Sequence, residues 1–200
     1  MGSRRLGRKR IYALNKLGQS SAMTAGSGAP GIASSTVSRE GHLITTEIAI
    51  DLSPAGGAIS IMGKNDLALG TSGSAAGVLV ANKSYLGTIT RAVNGIVTAA
   101  ECICVELPTR SGGSNIDIDF IASSADIGYS GSLTGTTALI TAGGNWVLGK
   151  NITGDVEDNG AEGEFIYLAN GAANAGDTTA TFTAGKFILR LYGYAVPDDQ

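Results

Sequence analysis

Two cysteines, one histidine, one tryptophan and four prolines are all that these 200 residues contain of those types. Each scarcity excludes something. Cys102 and Cys104 sit two apart, side by side on one face of any strand, where a mutual disulfide is poorly placed. A disulfide scaffold is therefore excluded, and the two thiols are read as small packing groups. A tetrahedral zinc site needs about four ligands, and two cysteines with His42 fall short. A Ser-His-Asp or Cys-His centre would have to recruit His42, which lies beside Gly41 at a strand start with no nucleophile motif near it. No apolar run reaches the ~18–20 residues that span a bilayer, and the basic N-terminus lacks the apolar stretch of a secretory signal. The expectation is no cofactor, no metal, no membrane partner, and synthesis and assembly in a cytoplasm.

Charge is scarce too, at 16% of residues, but it is segregated. The first nineteen residues hold Arg4, Arg5, Arg8, Lys9, Arg10 and Lys16 and no acid. The remaining 181 hold eight basic and 17 acidic residues, a net charge of −9. A cationic segment of this composition does not fold alone and is made to engage something else. Within it Ile11, Leu14 and Leu17 keep helical spacing, and Gly18 is placed to end a short helix. Residues 20–38 form a Ser/Ala/Gly linker with Pro30, expected to lie extended on a surface. The chain thus divides into an arm and linker, 1–38, and a body, 39–200.

The 30 glycines, with many Ala, Ser and Thr, suit short strands and tight turns. His42–Leu52 alternates, with Ile44, Ile48, Ile50 and Leu52 on one face and Glu47 and Asp51 on the other. Further strands are predicted at Ala58–Met62, Gly77–Ala81, Tyr85–Ala92, Gly95–Leu107, Asn115–Ala122, Thr136–Thr141, Trp146–Lys150 and Phe165–Ala169. Gly95–Leu107 is given one face of Val97, Ile103, Val105 and Leu107, closed by Pro108. Asp117 and Asp119 are assigned to the wet face of their strand. A terminal hairpin, Thr178–Thr183 and Lys186–Val196, turns at Ala184-Gly185. No repeat of fixed period occurs. The fold class is all-β, a jelly-roll-like antiparallel β-sandwich with an extended basic N-terminal arm.

Three motif matches fail on context. Gly26-Ser-Gly28-Ala-Pro-Gly31 neither follows a strand nor opens a helix. Gly144–Lys150 resembles a phosphate loop until Asn151, where Ser or Thr belongs. Asp155–Gly160 begins like a calcium loop, but its twelfth position is Ile166. No set of catalytic residues emerges.

What, then, does the arm bind? Contact with six phosphates would give a salt slope of about −5. Six exposed ion pairs return at most about 6 kcal/mol, a small part of the ~1–2 kcal/mol per residue that ordering the backbone costs. Leu6, Ile11, Tyr12, Leu14 and Leu17 add ~1.5–3 kcal/mol for each large side chain buried, and strand pairing adds main-chain hydrogen bonds. A protein surface fits this segment better than nucleic acid does.

The run Gly2-Ser-Arg-Arg-Leu-Gly-Arg-Lys-Arg-Ile-Tyr-Ala-Leu-Asn-Lys-Leu-Gly-Gln19, continuing through Arg39-Glu-Gly-His-Leu-Ile-Thr-Thr-Glu-Ile-Ala-Ile-Asp51, resembles the start of virion structural proteins of marine and cyanobacterial tailed phages. The resemblance covers about the first quarter of the chain. It implies a capsid decoration, or cement, protein of a bacteriophage head. Such a protein binds a separate major capsid protein, assembles as a trimer and carries no catalytic residues. Arg4, Arg5, Leu6, Arg8, Lys9, Arg10, Ile11, Tyr12, Leu14, Lys16 and Leu17 would then form the capsid-anchoring arm, with Phe187, Tyr192 and Tyr194 as candidates for subunit packing. Two other readings stand beside it: a jelly-roll coat protein whose arm contacts the genome, and a carbohydrate-binding β-sandwich on the virion surface using Trp146 and the tyrosines.

Overall fold

A computed structural model describes residues 23–53, 59–62, 67–71, 83–111, 116–129, 131–133, 135–156, 161–171 and 179–195. These form an antiparallel all-β sandwich of two sheets. The strands are β1 (Ile32–Glu40), β2 (Leu43–Asp51), β3 (Ile59–Met62), β4 (Gly70–Thr71), β5 (Gly87–Thr88), β6 (Ile96–Arg110), β7 (Ile118–Ser123), β8 (Thr136–Ile140), β9 (Asn151–Asp155), β10 (Phe165–Asn170) and β11 (Thr179–Tyr194), with one four-residue helix, α1 (Arg91–Asn94), before β6. The larger sheet runs β1-β2-β11-β3-β4, with β6 on the other side of β11 and β9 beyond β6. The smaller runs β5-β10-β7-β8.

β2 shows why the sandwich forms. Its alternation places Ile44, Ile48 and Ile50 inward at 0–1% exposure, with Leu52 just beyond the strand at 0%. The opposite face keeps Glu47 and Asp51 toward solvent, as period-2 patterning requires. The core that Ile48, Ile50 and Leu52 enter joins Phe120, Ile118 and Leu168 of the smaller sheet to Phe187, Leu189 and Leu191 of β11. Cys102 and Cys104 are free and fully buried in that core, and burial pushes both thiols up in pKa. They pack as predicted. A second apolar layer, Tyr167, Ile121, Leu133, Ala68 and Ala169, lies apart from this core.

Several expectations are corrected. The terminal hairpin is one sixteen-residue strand, β11, bent rather than reversed at Gly185. Its register against β6 slips on both sides of Ala184, and Gly185 takes φ +132° there. Such a glycine in a strand interior marks a bulge. β6 also slips, between the pairs Tyr192/Ala99 and Gly193/Val97. After Val97 its inward residues are therefore Ala100, Cys102 and Cys104, while Val105 and Leu107 are 44% and 46% exposed. Pro108 lies inside β6 rather than ending it. The linker, expected to lie extended on a surface, is extended from Ile32 on as a strand of the sheet: Ile32–Glu40 is β1, paired along its length with β2. Tyr85–Ala92 contributes only the two residues of β5 before α1 begins. Residues 146–150 turn back, and the strand starts at Asn151. The strand predicted over Gly77–Ala81 lies outside the described residues.

The segment leading into β1 seals one open flank of the sandwich. Gly26 and Gly28 donate backbone N–H groups to the carbonyls of Tyr85 and Lys83. Met23, 8% exposed, is part of the main core. An added Cβ on Gly87 would lie 2.8 Å from Met23 Cβ, so only glycine lets that side chain seat so closely. Met23 N donates to Ser35 Oγ at 3.2 Å, and Asn94 Nδ2 reaches its sulfur at 3.7 Å. The point at which the preceding residues join the body is thus fixed near the α1 end of the sandwich.

Candidate interaction surface

The outer face of the larger sheet carries a charged row and the two predicted packing tyrosines. Alternation along β11 divides the three candidates. Phe187 faces inward, 0% exposed, with its ring 5.0 Å from Trp146 and 5.8 Å from Phe120. It is a core residue of the subunit itself and leaves the list of packing candidates. Tyr192 and Tyr194 face outward, five and seven residues further on. Tyr194 is 52% exposed and stands in register with Leu43 of β2, itself 37% exposed, and with Ile96 of β6. Ala195 N donates to the His42 carbonyl at 2.7 Å, tying residue 195 to the β1–β2 turn at this same end. His42 is exposed in the β1–β2 turn, which fits its reading as a surface residue.

In the middle of the face, register brings Glu47, Arg190 and Glu101 into one row across β2, β11 and β6. Arg190 Nε donates to Glu47 Oε2 at 2.8 Å and Nη1 to Glu101 Oε2 at 3.4 Å. Tyr192 Oη donates to the same Glu101 oxygen at 2.6 Å, and Asn151 Nδ2 to Oε1 at 2.7 Å. The Tyr192 and Asn151 hydrogen bonds, aided by Arg190 and opposed by partial burial, hold the Glu101 carboxyl below the ordinary carboxylate range. A carboxyl depressed in the folded state stabilises above its unfolded pKa. That contribution is lost as pH falls through the lower folded value. Glu101→Gln should therefore flatten the acid limb of a stability–pH curve below about pH 4.5, read by urea midpoints from pH 2 to 7. An acid limb as steep as that of the parent would exclude Glu101 as a contributor.

The remaining candidates are absorbed into structure. Asp117 is 2% exposed rather than on a wet face. Its Oδ1 accepts Gly144 N at 3.3 Å, and Asp119 Oδ1 accepts Ala142 N at 2.7 Å. With Asn145 Oδ1 accepting Ile116 N at 3.0 Å, these bonds lash the 141–150 loop to β7. The pair is a loop clamp, which alternation alone could not reveal. Lys150 Nζ donates to the carbonyls of Ala142 at 2.9 Å and Asn145 at 3.3 Å and lies 5.3 Å from the Trp146 ring centre. This glycine-flanked run therefore cages its own lysine. Trp146 is 2% exposed, which removes the main support for a carbohydrate platform. Asp155 ends β9, and residues 157–160 of the calcium-like run lie outside the described residues. Among the described residues no group of three or more His, Cys, Asp or Glu could hold a metal ion, and no helix is long and apolar enough to cross a membrane.

The residues expected to anchor the chain, Arg4, Arg5, Leu6, Arg8, Lys9, Arg10, Ile11, Tyr12, Leu14, Lys16 and Leu17, all lie outside the described residues. The first described residue after them, Met23, is buried in the core. Compared with protein families, with curated proteins and with solved structures, the chain matches none.

Proposed function

We propose that this chain is a non-enzymatic virion structural protein that cements an icosahedral head, carried in the virion and assembled in the host cytoplasm. Residues 1–19 anchor it to subunits of the major capsid protein, and the sandwich supplies a rigid body. The observation that carries this reading is the separation of charge and grease. A +6 segment with spaced Leu and Ile precedes a −9 body. Met23, the first described residue after it, is seated in the core. The phage-like leader sequence supports the same reading.

The test uses two full-length variants and heads assembled from the major capsid protein of the same virus. In one, Leu6, Ile11, Leu14 and Leu17 become Ser. In the other, the six basic residues become Gln. The Ser variant should lose co-sedimentation by at least tenfold at every salt concentration, since each lost anchor removes about 1.5–3 kcal/mol of burial. The Gln variant should still attach, with a flatter salt dependence. If the Ser variant attaches like the parent while the Gln variant alone loses a nucleic-acid complex of slope about −5, the genome-binding coat protein replaces this reading.

A further inference from the structure

We propose that two copies of this chain pair edge to edge through β1, antiparallel about Thr36, joining their larger sheets into one. Among the described residues β1 ends that sheet, and it is nine residues long. The other edge strands among the described residues are short: two residues in β4 and β5, and five in β8 and β9. β8 and β9 also close against each other, since a Cβ on Gly154 would collide with the Leu139 carbonyl. On the opposite flank, residues 26–28 donate to Tyr85 and Lys83, filling the gap between the sheets.

An edge strand presents a row of unpaired N–H and C=O groups, and proteins that stay monomeric blunt it with charge, proline or a bulge. β1 has no proline and no charge from Ile32 to Ser38, and its one irregularity lies at its start, between Ile32 and Ser34. One register pairs the strand with itself along its whole length. Thr36 is the midpoint of 32–40, so a dyad there pairs all nine residues and keeps each face on its own side. Thr36 meets Thr36, and Ser34 meets Ser38, both favourable small polar pairs. Arg39 stands opposite Ala33 and Glu40 opposite Ile32 of the second copy, so no like charges face each other. Ser34, Thr36 and Ser38 are exposed, while Val37 is already buried within its own subunit.

The pairing is isologous and closes at two copies, not the three that the family resemblance implies. Met23 is held beside Ser35, one residue from the dyad. Each copy brings one arm to the pair. On the anchoring reading above, the pair would fasten two shell positions at once, with the avidity that follows. The pairing itself does not depend on that reading.

The test is made on the full chain, without heads. Sedimentation equilibrium of the parent should give twice the 20.1 kDa chain mass. Thr36→Lys places two ammonium groups face to face at the dyad and should return a monomer with unchanged far-UV circular dichroism. Thr36→Cys supplies the positive arm. Either position in an antiparallel ladder puts facing Cα atoms ~4.5–5.5 Å apart, within the ~4.4–6.8 Å a disulfide spans. Mild oxidation should therefore cross-link it at least tenfold faster than Ser34→Cys, whose partner in this register is Ser38. A parent that is monomeric at all concentrations or trimeric, or cross-linking at residue 34 as fast as at 36, would overturn the proposal.

Discussion

Trp146→Ala is expected to destabilise the sandwich by about 3–5 kcal/mol, the range for removing a large buried aromatic. For a body of this size that lowers the midpoint of thermal unfolding by roughly 6–20 °C. Three losses combine. The indole packs edge-on against Phe120 and Phe187, at 6.4 and 5.0 Å between ring centres, and so joins the two sheets. Its Nε1 donates to the Ile118 carbonyl at 2.8 Å, and losing that bond leaves a buried acceptor without this donor, at about 1–3 kcal/mol. Its face carries Lys150, which holds the loop carbonyls. Trp146→Phe separates these effects by keeping most of the apolar volume and losing the N–H. It should fall between the parent and the alanine variant. A midpoint within 2 °C of the parent for Trp146→Ala would show that the indole does not join the sheets.

Gly185→Ala is the second large effect, although it adds a single methyl. At φ +132° an L side chain is held in a sparsely populated region, at about 1–3 kcal/mol. The new Cβ would also lie 2.8 Å from Pro108 Cα and 3.0 Å from Leu52 Cδ1. Overpacking against backbone costs a further ~1–3 kcal/mol. Because β11 pairs with β2, β3 and β6, the damage spreads along the spine of the larger sheet. Amide hydrogen exchange should show lost protection from Phe182 to Ile188 before other strands respond. Gly143→Ala is the control: its φ is +63°, but an added Cβ meets nothing within 4 Å. Equal destabilisation of the two variants would mean that backbone conformation alone, not the Pro108 contact, sets the cost.

How much of this was legible in the chain depends on the range of the cause. The faces of β2 were, because alternation is local and β2 carries no bulge. Pairing of Cys102 with Cys104 on one buried face was legible for the same reason. The faces of β6 beyond Val97 were not. One slipped residue reverses inside and outside, and the slip arises from pairing with β11, some ninety residues away. Gly185 carried the mark of a turn, but a turn and a bulge ask for the same residue. Only the continuation of Lys186–Tyr194 against both β2 and β6 makes it a bulge. Asp117 and Asp119 show the reverse case. Alternation assigned them to water, whereas the 141–150 loop folds back and takes both carboxylates as acceptors.

The amino-acid order by itself determined the all-β class, the inward stripe of β2, the reduced buried thiols and the separation of a +6 leader from a −9 body. Each follows from composition or from spacing within a few residues. Tertiary structure alone decided the strand order, the bend in β11, the burial of Trp146 and Phe187, the seat of Met23 and the place of β1 at an edge among the described residues. Those depend on which distant strands meet, and in a fold built from non-local pairs that information is spread along the whole chain.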